Sequence, residues 1–128
     1  MESKIIYPEL SYKLVGILFQ IHRDLGFEYQ EKYYQRAVAL ALDKERIKYQ
    51  KELKIDLKYE DKIIGKYFLD FLIENKVILE LKTHPFNQRD IRQVLAYLKA
   101  NNLKLGLLVN FRSKSLTFKR ILNAEGNS

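Results

Sequence analysis

Residues 67–82 of this chain, YFLDFLIENKVILELK, consist of two apolar runs on either side of the polar segment 74–76. Apolar runs of this length around a short polar break predict two β-strands joined by a tight turn. Two acids and one amine interrupt the runs, and they are Asp70, Glu80 and Lys82. Burying such groups without partners is costly, so their positions mark either a functional site or a paired cluster.

The alternation of side chains along a strand places these polar groups relative to one another. Glu80 and Lys82 are two residues apart and so point to the same face of their strand, opposite to Leu79 and Leu81. Asp70 lies on the neighbouring strand of the predicted pair. We therefore expect two carboxylates and one ammonium group around a single point of the sheet.

The rest of the chain shows helical and strand patterns in a regular order. Apolar residues recur at helical spacing in three segments, and they alternate or run continuously in the others. The predicted helices cover residues 10–25, 29–46 and 87–101, and the predicted strands cover 53–57, 63–73, 77–82, 104–110 and 116–122. This order predicts an α/β fold with a mixed central sheet flanked by helices.

The length and composition of the chain predict one compact domain. It has 128 residues, 47% of them hydrophobic, and no long Gly, Ser or Pro tract that would mark a linker. We expect a single domain over residues 1–128, with a core at about 10–122 and a flexible tail at 123–128. No apolar run approaches the ~20 residues that span a bilayer, and no apolar signal region follows Met1. A soluble cytoplasmic protein without membrane contact is therefore expected.

Basic residues are concentrated late in a chain whose formal net charge is +7. Within residues 99–120 there are six basic residues and no acid, and they are Lys99, Lys104, Arg112, Lys114, Lys119 and Arg120. A one-sided positive field favours polyanions, so this segment predicts binding of nucleic acid. The alternative is a solvated basic face that has no partner.

Asp70 followed by Glu80-Leu81-Lys82 resembles the signature of the PD-(D/E)XK nuclease superfamily, an acid on one strand and Glu-x-Lys on the next. Leu69 stands where a proline often precedes the first acid. The predicted order of elements also matches the αβββαβ core of that superfamily. The resemblance implies a restriction-endonuclease-like fold and a metal-dependent nuclease that acts on nucleic acid, with DNA favoured over RNA.

Residues 29–34, YQEKYY, resemble the motif of the GxxExxY family of bacteria and archaea, a small single-domain branch of the same superfamily. Glu31 and Tyr34 fill the Glu and Tyr positions, while Glu28 stands in place of the first glycine. The likeness covers about residues 18–122. It implies that Glu31 completes a metal site, whereas spacing alone favours a solvent-facing helical glutamate.

The resemblance also implies a ligand set and a catalytic amine. Asp70, Glu80, the backbone carbonyl of Leu81 and Glu31 would hold Mg²⁺ or Mn²⁺, which prefer oxygen ligands. The chain has no cysteine, which excludes thiolate ligands. Lys82 would position the attacking water or stabilise charge on the phosphate.

Gln93 and Tyr97 are four residues apart and so lie on one face of the predicted third helix. Recombination-type exonucleases of the superfamily carry a similar Gln-x-x-x-Tyr. By resemblance, Gln93 would orient the attacking water or the scissile phosphate, and Tyr97 would pack near the site or touch the nucleic-acid backbone. Ordinary helix surface with a half-buried tyrosine is the alternative.

Two other interpretations of the acidic cluster stay open at this point. The protein could be a catalytically weak or inactive nucleic-acid-binding or protein-interaction module on the same fold. It could also carry a purely structural cluster in which Lys82 neutralises Asp70 and Glu80. A homodimer is compatible with the sequence.

Overall fold

A computed structural model describes residues 6–124 of the chain. Two helices precede three strands, a further helix and two more strands. The elements are α1 (Pro8–Leu25), α2 (Glu31–Lys44), β1 (Tyr49–Tyr59), β2 (Lys62–Ile73), β3 (Val77–Lys82), α3 (Gln88–Ala100), β4 (Leu105–Asn110) and β5 (Thr117–Leu122). This order confirms the predicted α/β fold and its αβββαβ core.

The strands form one five-stranded mixed sheet in the order β1-β2-β3-β4-β5. Among the strands of residues 6–124, only β3 and β4 are parallel neighbours, with Val77 opposite Leu105 and Lys82 opposite Asn110. Parallel neighbours need a crossover connection, and α3 supplies it. Because α3 runs back between the two strands, its first turn lies near the end of β3 and its last turn near the start of β4.

Both faces of the sheet are covered by helices. On one face, α1 and α2 pack on a cluster that includes Phe71, Leu79 and Leu107. On the other, α3 packs on a smaller cluster that includes Ile78 and Leu108. Every residue of β4 and all of β3 except Lys82 are buried, which explains why these two strands are nearly continuous apolar runs.

The hairpin turns and helix ends follow local chemistry. Glu60 and Asp61 have φ values of 48° and 65°, and Glu74 and Asn75 have φ values of 53° and 57°. Two successive left-handed residues are typical of tight hairpin turns, whose twist matches that of the flanking strands. Two residues connect β1 to β2, and three residues, 74–76, connect β2 to β3. The helix α1 ends as predicted at Leu25, and it is followed by Gly26, whose φ is 80° and whose N–H donates to the carbonyl of His22.

The second helix is shorter than predicted at both ends. It begins at Glu31 rather than 29, because Gln30 is extended with ψ 154°. It ends at Lys44 rather than 46, and Arg46 adopts a left-handed φ of 58°. The first strand is longer than its predicted 53–57, because the polar residues on either side of that apolar alternation continue the strand.

The strands β1 and β2 form a ribbon that changes direction at Asp70. Lys51 pairs with Phe71 and Leu53 pairs with Leu69, so the register skips Glu52 and Asp70. Leu69 packs on the α3 side although Phe71, two residues later, packs on the α1–α2 side. The ribbon therefore rotates at Asp70 and bends over α3.

The described chain ends at residue 124. Asn123 is buried, its N–H donates to the carbonyl of Lys104, and its side chain donates to the carbonyl of Leu103. Hydrogen bonding to the sheet region thus continues at residue 123, and residues 125–128 of the expected tail lie outside the described residues. No helix within residues 6–124 is long and apolar enough to cross a membrane.

Candidate active site

The strands β2 and β3 separate at Asp70 and Glu80, and the two carboxylates take over the hydrogen bonds of the opened backbone. Regular pairing ends at Phe71 and Leu79. Beyond it, the N–H of Asp70 donates to Glu80 Oε1 at 2.8 Å, and the N–H of Leu81 donates to Asp70 Oδ2 at 2.8 Å. Buried backbone donors need acceptors, so these bonds fix the two carboxylates side by side.

Burial disfavours the ionised forms of the two neighbouring acids. Glu80 is 5% exposed, and burial together with the charge of Asp70 raises the pKa of Glu80 to about 8. Burial also raises the pKa of Asp70, although its hydrogen bond from Leu81 and the charge of Lys82 oppose that shift. A cation placed between the two acids would favour their ionised forms.

Lys82 lies between two buried acids. Its Nζ is 3.3 Å from Glu80 Oε2 and 3.6 Å from Asp90 Oδ1. Burial tends to lower the pKa of Lys82, but the charges of Glu80 and Asp90 outweigh burial and raise it. Lys82 is therefore an ammonium group at neutral pH, and its alkyl chain is held at the end of β3.

Asp90 belongs to the site although no sequence motif selects it. It forms a capping box at the start of α3, where the Asp90 N–H donates to Asn87 Oδ1 and the Asn87 N–H donates to Asp90 Oδ2. This leaves Oδ1 of Asp90 for Lys82. The Asn-x-x-Asp spacing is a recognisable capping signal, but nothing in the sequence links it to Lys82.

The second helix brings an acid and an amide to the same point. Gln35 Nε2 donates to Asp70 Oδ1 at 2.7 Å and to Glu31 Oε2 at 3.3 Å. Burial and the charge of Asp70 raise the pKa of Glu31. The amide of Gln35 thus links the carboxylates of Glu31 and Asp70. The spacing of four residues from Glu31 is the signal that could have identified Gln35.

Tyr34 fixes the first turn of α2 and hence the position of Glu31. Its ring is fully buried and stacks on Phe111 with centroids 4.4 Å apart. Its hydroxyl donates to the carbonyl of Gly26 at 2.7 Å and accepts from the N–H of Tyr29 at 3.3 Å. Glu31 and Tyr34 therefore have different structural roles. Glu31 borders the acidic cluster, whereas Tyr34 anchors the helix.

These groups border a cleft of about 610 Å³ whose walls are α2, residues 68–71 of β2, the end of β3, and β1. Glu31, Asp70, Glu80 and Lys82 all line it. Three further cations that the sequence motifs do not select also line it, and they are Lys32, Arg36 and Lys51. These three residues are not part of the late basic segment. They are also distant from the acids in sequence, and only the tertiary packing of α2 and β1 brings them to the cleft. A second cleft, of about 720 Å³ around Tyr49 and Glu74, contains none of the predicted site residues.

Gln93 and Tyr97 are not brought to this cleft. Gln93 lines a separate groove between α3 and the ribbon, together with Lys66 and Tyr67. Tyr97 is partly buried against the apolar cluster under α3. The turn of α3 that reaches the acids carries Asp90 instead.

The predicted basic residues are spread over the molecule. Lys99 and Lys104 lie at the last turn of α3 and before β4, the end of the sheet opposite to Lys82. The guanidinium of Arg112 donates to the carbonyl of Tyr29 at 2.8 Å, and Lys114 is in the loop after β4. The remaining two are on the edge strand β5, and they are Lys119 and Arg120.

The oxygen donors of the cleft can be set against what a divalent metal requires. Within residues 6–124, no group of three or more acidic or histidine side chains is arranged to hold a metal ion. Mg²⁺ is commonly bound by only one or two protein carboxylates, with water and phosphate oxygens as its other ligands. Asp70 and Glu80 fit that requirement, because both are buried oxygen donors whose ionised forms a cation would stabilise.

Comparison with known proteins gives a family and a fold. The family model described as PD-(D/E)XK nuclease superfamily matches residues 8–121. The crystal structure of SSO0001 has a similar fold, with a TM-score of 0.52 and 17% sequence identity, over 95% of this chain and 59% of that chain. This chain thus spans about three fifths of the length of that protein, and the likeness is one of fold alone. No curated protein sequence matches the chain.

Proposed function

This chain belongs to the PD-(D/E)XK nuclease superfamily, and from that premise we propose that it is a metal-dependent nuclease that hydrolyses phosphodiester bonds of nucleic acid, DNA in preference to RNA. The observation that supports the proposal is the buried pair of Asp70 and Glu80, beside Lys82 and at the wall of a cleft that also carries cations. Acids that bind metal and cations that bind phosphate are the two components that this chemistry needs.

We propose that Asp70 and Glu80 are the principal ligands of Mg²⁺ or Mn²⁺, with Glu31 and the backbone carbonyl of Leu81 as further ligands. When bound, such an ion lowers the pKa of water and offsets negative charge on the phosphate. Gln35 would act as a positioning residue, since its amide already joins Glu31 to Asp70.

Lys82 is proposed as the catalytic amine. Glu80 and Asp90 keep it protonated and point it at the acids. As the oxygen of water forms its bond to phosphorus and the bond to the leaving sugar oxygen breaks, negative charge grows on the phosphate oxygens. A fixed ammonium group donates to that charge, or holds the water for in-line attack, without forming a covalent intermediate.

Substrate binding is assigned first to the cations of the cleft. Lys32, Arg36 and Lys51 line the same cleft as the acids, so they are placed to bind the phosphates on either side of the reacting one. Gln93 and Tyr97 lie outside the cleft, so we propose that they contact nucleic acid rather than the attacking water. The late basic residues are proposed to contact nucleic acid outside the cleft, and they are Lys99, Lys104, Arg112, Lys114, Lys119 and Arg120.

We also propose that the chain falls within the GxxExxY branch and acts in the cytoplasm of a prokaryotic cell. The support for the branch is the division of labour in α2, where Glu31 borders the acids and Tyr34 anchors the helix.

The test is a cleavage assay on labelled single-stranded, duplex and branched DNA and RNA, with Mg²⁺, Mn²⁺ or a chelator. Glu80→Gln removes the charge but leaves an oxygen that can accept from Asp70, and Glu45→Gln removes an exposed charge far from the cleft. We expect metal-dependent cleavage that Glu80→Gln abolishes and Glu45→Gln retains. Binding without cleavage on every substrate would overturn the proposal in favour of a nucleic-acid-binding module.

A further inference from the structure

The sheet ends on one side at β1, an edge strand of 11 residues. Within residues 6–124, β1 has one neighbour in the sheet, β2. An exposed edge of this length offers unpaired backbone donors and acceptors to another strand. Natural proteins usually protect such an edge, so the question is which strand could pair with β1.

The sequence of this edge is complementary to itself. Residues 52–58 read ELKIDLK, in which the apolar residues are symmetric about Ile55 and the charges are antisymmetric. If two copies pair antiparallel about Ile55, Leu53 lies opposite Leu57, and Lys54 lies opposite Asp56. At the ends of the segment, Glu52 lies opposite Lys58. Directly opposed opposite charges and apolar pairs are the arrangements that stabilise antiparallel strands.

We propose that two copies of this chain form a twofold symmetric dimer by antiparallel pairing of their β1 edges, centred on Ile55. The proposal concerns the ribbon and does not depend on the proposed nuclease activity. A closed twofold contact uses the same surface on both copies, which is what a self-complementary segment provides.

The backbone of β1 is regular over residues 53–57, the central part of the segment that would pair. Glu52 is left-handed with φ 56°, and the register with β2 shifts between Leu57 and Lys58. The regular stretch between these two irregularities is residues 53–57, and its centre is also Ile55. Geometry and charge pattern therefore give the same centre by independent routes.

Side-chain exposure is also consistent with a second copy. The side chains of Lys54 and Asp56 are 57% and 36% exposed and pair only loosely within the strand, at 3.7 Å. Leu57 is 49% exposed, whereas Leu53 is buried in the cluster under α3. Pairing would set Leu57 of each copy against Leu53 of the other and so extend that cluster across the axis.

The opposite edge of the sheet lacks this property. The strand β5 contains Lys119 and Arg120 in succession and no acid, so pairing with a second copy of itself would bring cations together. The self-complementarity is thus specific to β1. One consequence is that Lys58 of the second copy would lie near Glu52, which lines the acidic cleft. The two Glu52 residues would be about 20 Å apart along the paired strands.

The test uses charge reversal and mixing, with the molecular mass in solution measured by sedimentation velocity. The monomer mass is 15.3 kDa, and a short interface predicts a weak dimer, so the concentration series should extend above about 100 µM. In Lys54→Glu the introduced carboxylate faces Asp56 of the other copy, and in Asp56→Lys the introduced ammonium group faces Lys54 of the other copy. Each variant alone should raise the Kd of the dimer at least about tenfold.

Mixing the two variants restores both opposite-charge pairs, so the mixture should dimerise about as well as the original protein. A local loss of folding in either variant would not be repaired by mixing. Lys13→Glu on α1 is the matched control and should leave the Kd unchanged. A monomer mass at every concentration, a dimer indifferent to both reversals, or a mixture that stays monomeric would each overturn the proposal.

Discussion

The sequence leads us to expect that the acidic site and the late basic segment act on one substrate. The fold brings the residues of the acidic site together, but it spreads those of the basic segment apart. Asp70, Glu80 and Lys82 come from two paired strands and meet within hydrogen-bond or ion-pair distance. The six basic residues of 99–120 belong to a helix end, two loops and an edge strand, and they lie at different ends of the sheet. Charges on paired strands converge because register fixes them, whereas charges that are merely near in sequence do not.

The largest expected effect is the loss of an acid from the convergent site. Asp70→Asn removes one proposed metal ligand but leaves an oxygen that can accept from Leu81, so the fold should be retained. We expect the cleavage rate to fall by about 10³-fold or more, measured in single-turnover assays. Lys119→Ala, from the dispersed set, should change the rate by less than about threefold. A comparable loss of cleavage rate in both variants would show that the acidic site is no more important for cleavage than the late basic segment.

Removal of the amine should have the next largest effect. Lys82→Ala should lower kcat by about 10²- to 10³-fold, which corresponds to roughly 2.7–4 kcal/mol of transition-state stabilisation. The KM should change less, because the proposed contact strengthens only as charge develops. Steady-state kinetics with saturating metal give both constants, and an unchanged kcat would exclude Lys82 from the mechanism.

Measurements of nucleic-acid affinity can distinguish the cations of the cleft from those of the late basic segment. Removing both Lys32 and Arg36 should weaken nucleic-acid affinity about tenfold, and should reduce the slope of log K against log salt by about 1.4–1.8. Removing both Lys99 and Lys104, at the far end of the sheet, should change the affinity less than about twofold. Titration of labelled DNA in chelator at several salt concentrations measures both. Equal losses from the two pairs would show that the cleft is not the preferred binding track.

The smallest expected effect is on stability and its dependence on pH. The pKa of Glu80 is raised to about 8, so the folded protein holds this proton more tightly than the unfolded chain does. Its contribution to stability is complete below the ordinary glutamate pKa and is lost as the pH rises towards 8. Glu80→Gln, without metal, should therefore gain stability relative to the original protein between about pH 5 and pH 8.5, by about 1.4 kcal/mol or more.

Denaturant unfolding at the two pH values measures that difference. Glu45→Gln, which removes an exposed acid, provides the baseline and should show no comparable change. A Glu80→Gln difference that is equal at both pH values would mean that Glu80 is ionised in the folded protein as readily as in the unfolded chain.

The parts of the fold that follow from local pattern could be predicted. Continuous apolar runs identify β3 and β4 because both faces of these strands are buried. Alternation alone places Glu80 and Lys82 on one face. The ends of β1 could not be predicted, because an exposed edge strand tolerates polar residues such as Gln50 and Lys51.

The parts of the site that depend on tertiary packing could not be predicted. Gln35 and Lys32 become site residues only because α2 packs on β3 and so reaches Asp70, and no local signal fixes that placement. The position of α3 after its crossover likewise decides that Asp90 in its first turn, rather than Gln93 in the next, reaches Lys82. Resemblance to a family suggested a role for α3 but not which of its turns meets the acids.

The central claim is that Asp70 and Glu80 hold a divalent metal, and calorimetric titration with Mn²⁺ tests it most directly, without reliance on activity. The original protein and Glu45→Gln should each bind one Mn²⁺ with similar affinity, while Asp70→Asn and Glu80→Gln should lose at least most of that binding. Absence of binding in the original protein, or equal binding in all four proteins, would contradict the claim and would favour a structural cluster neutralised by Lys82.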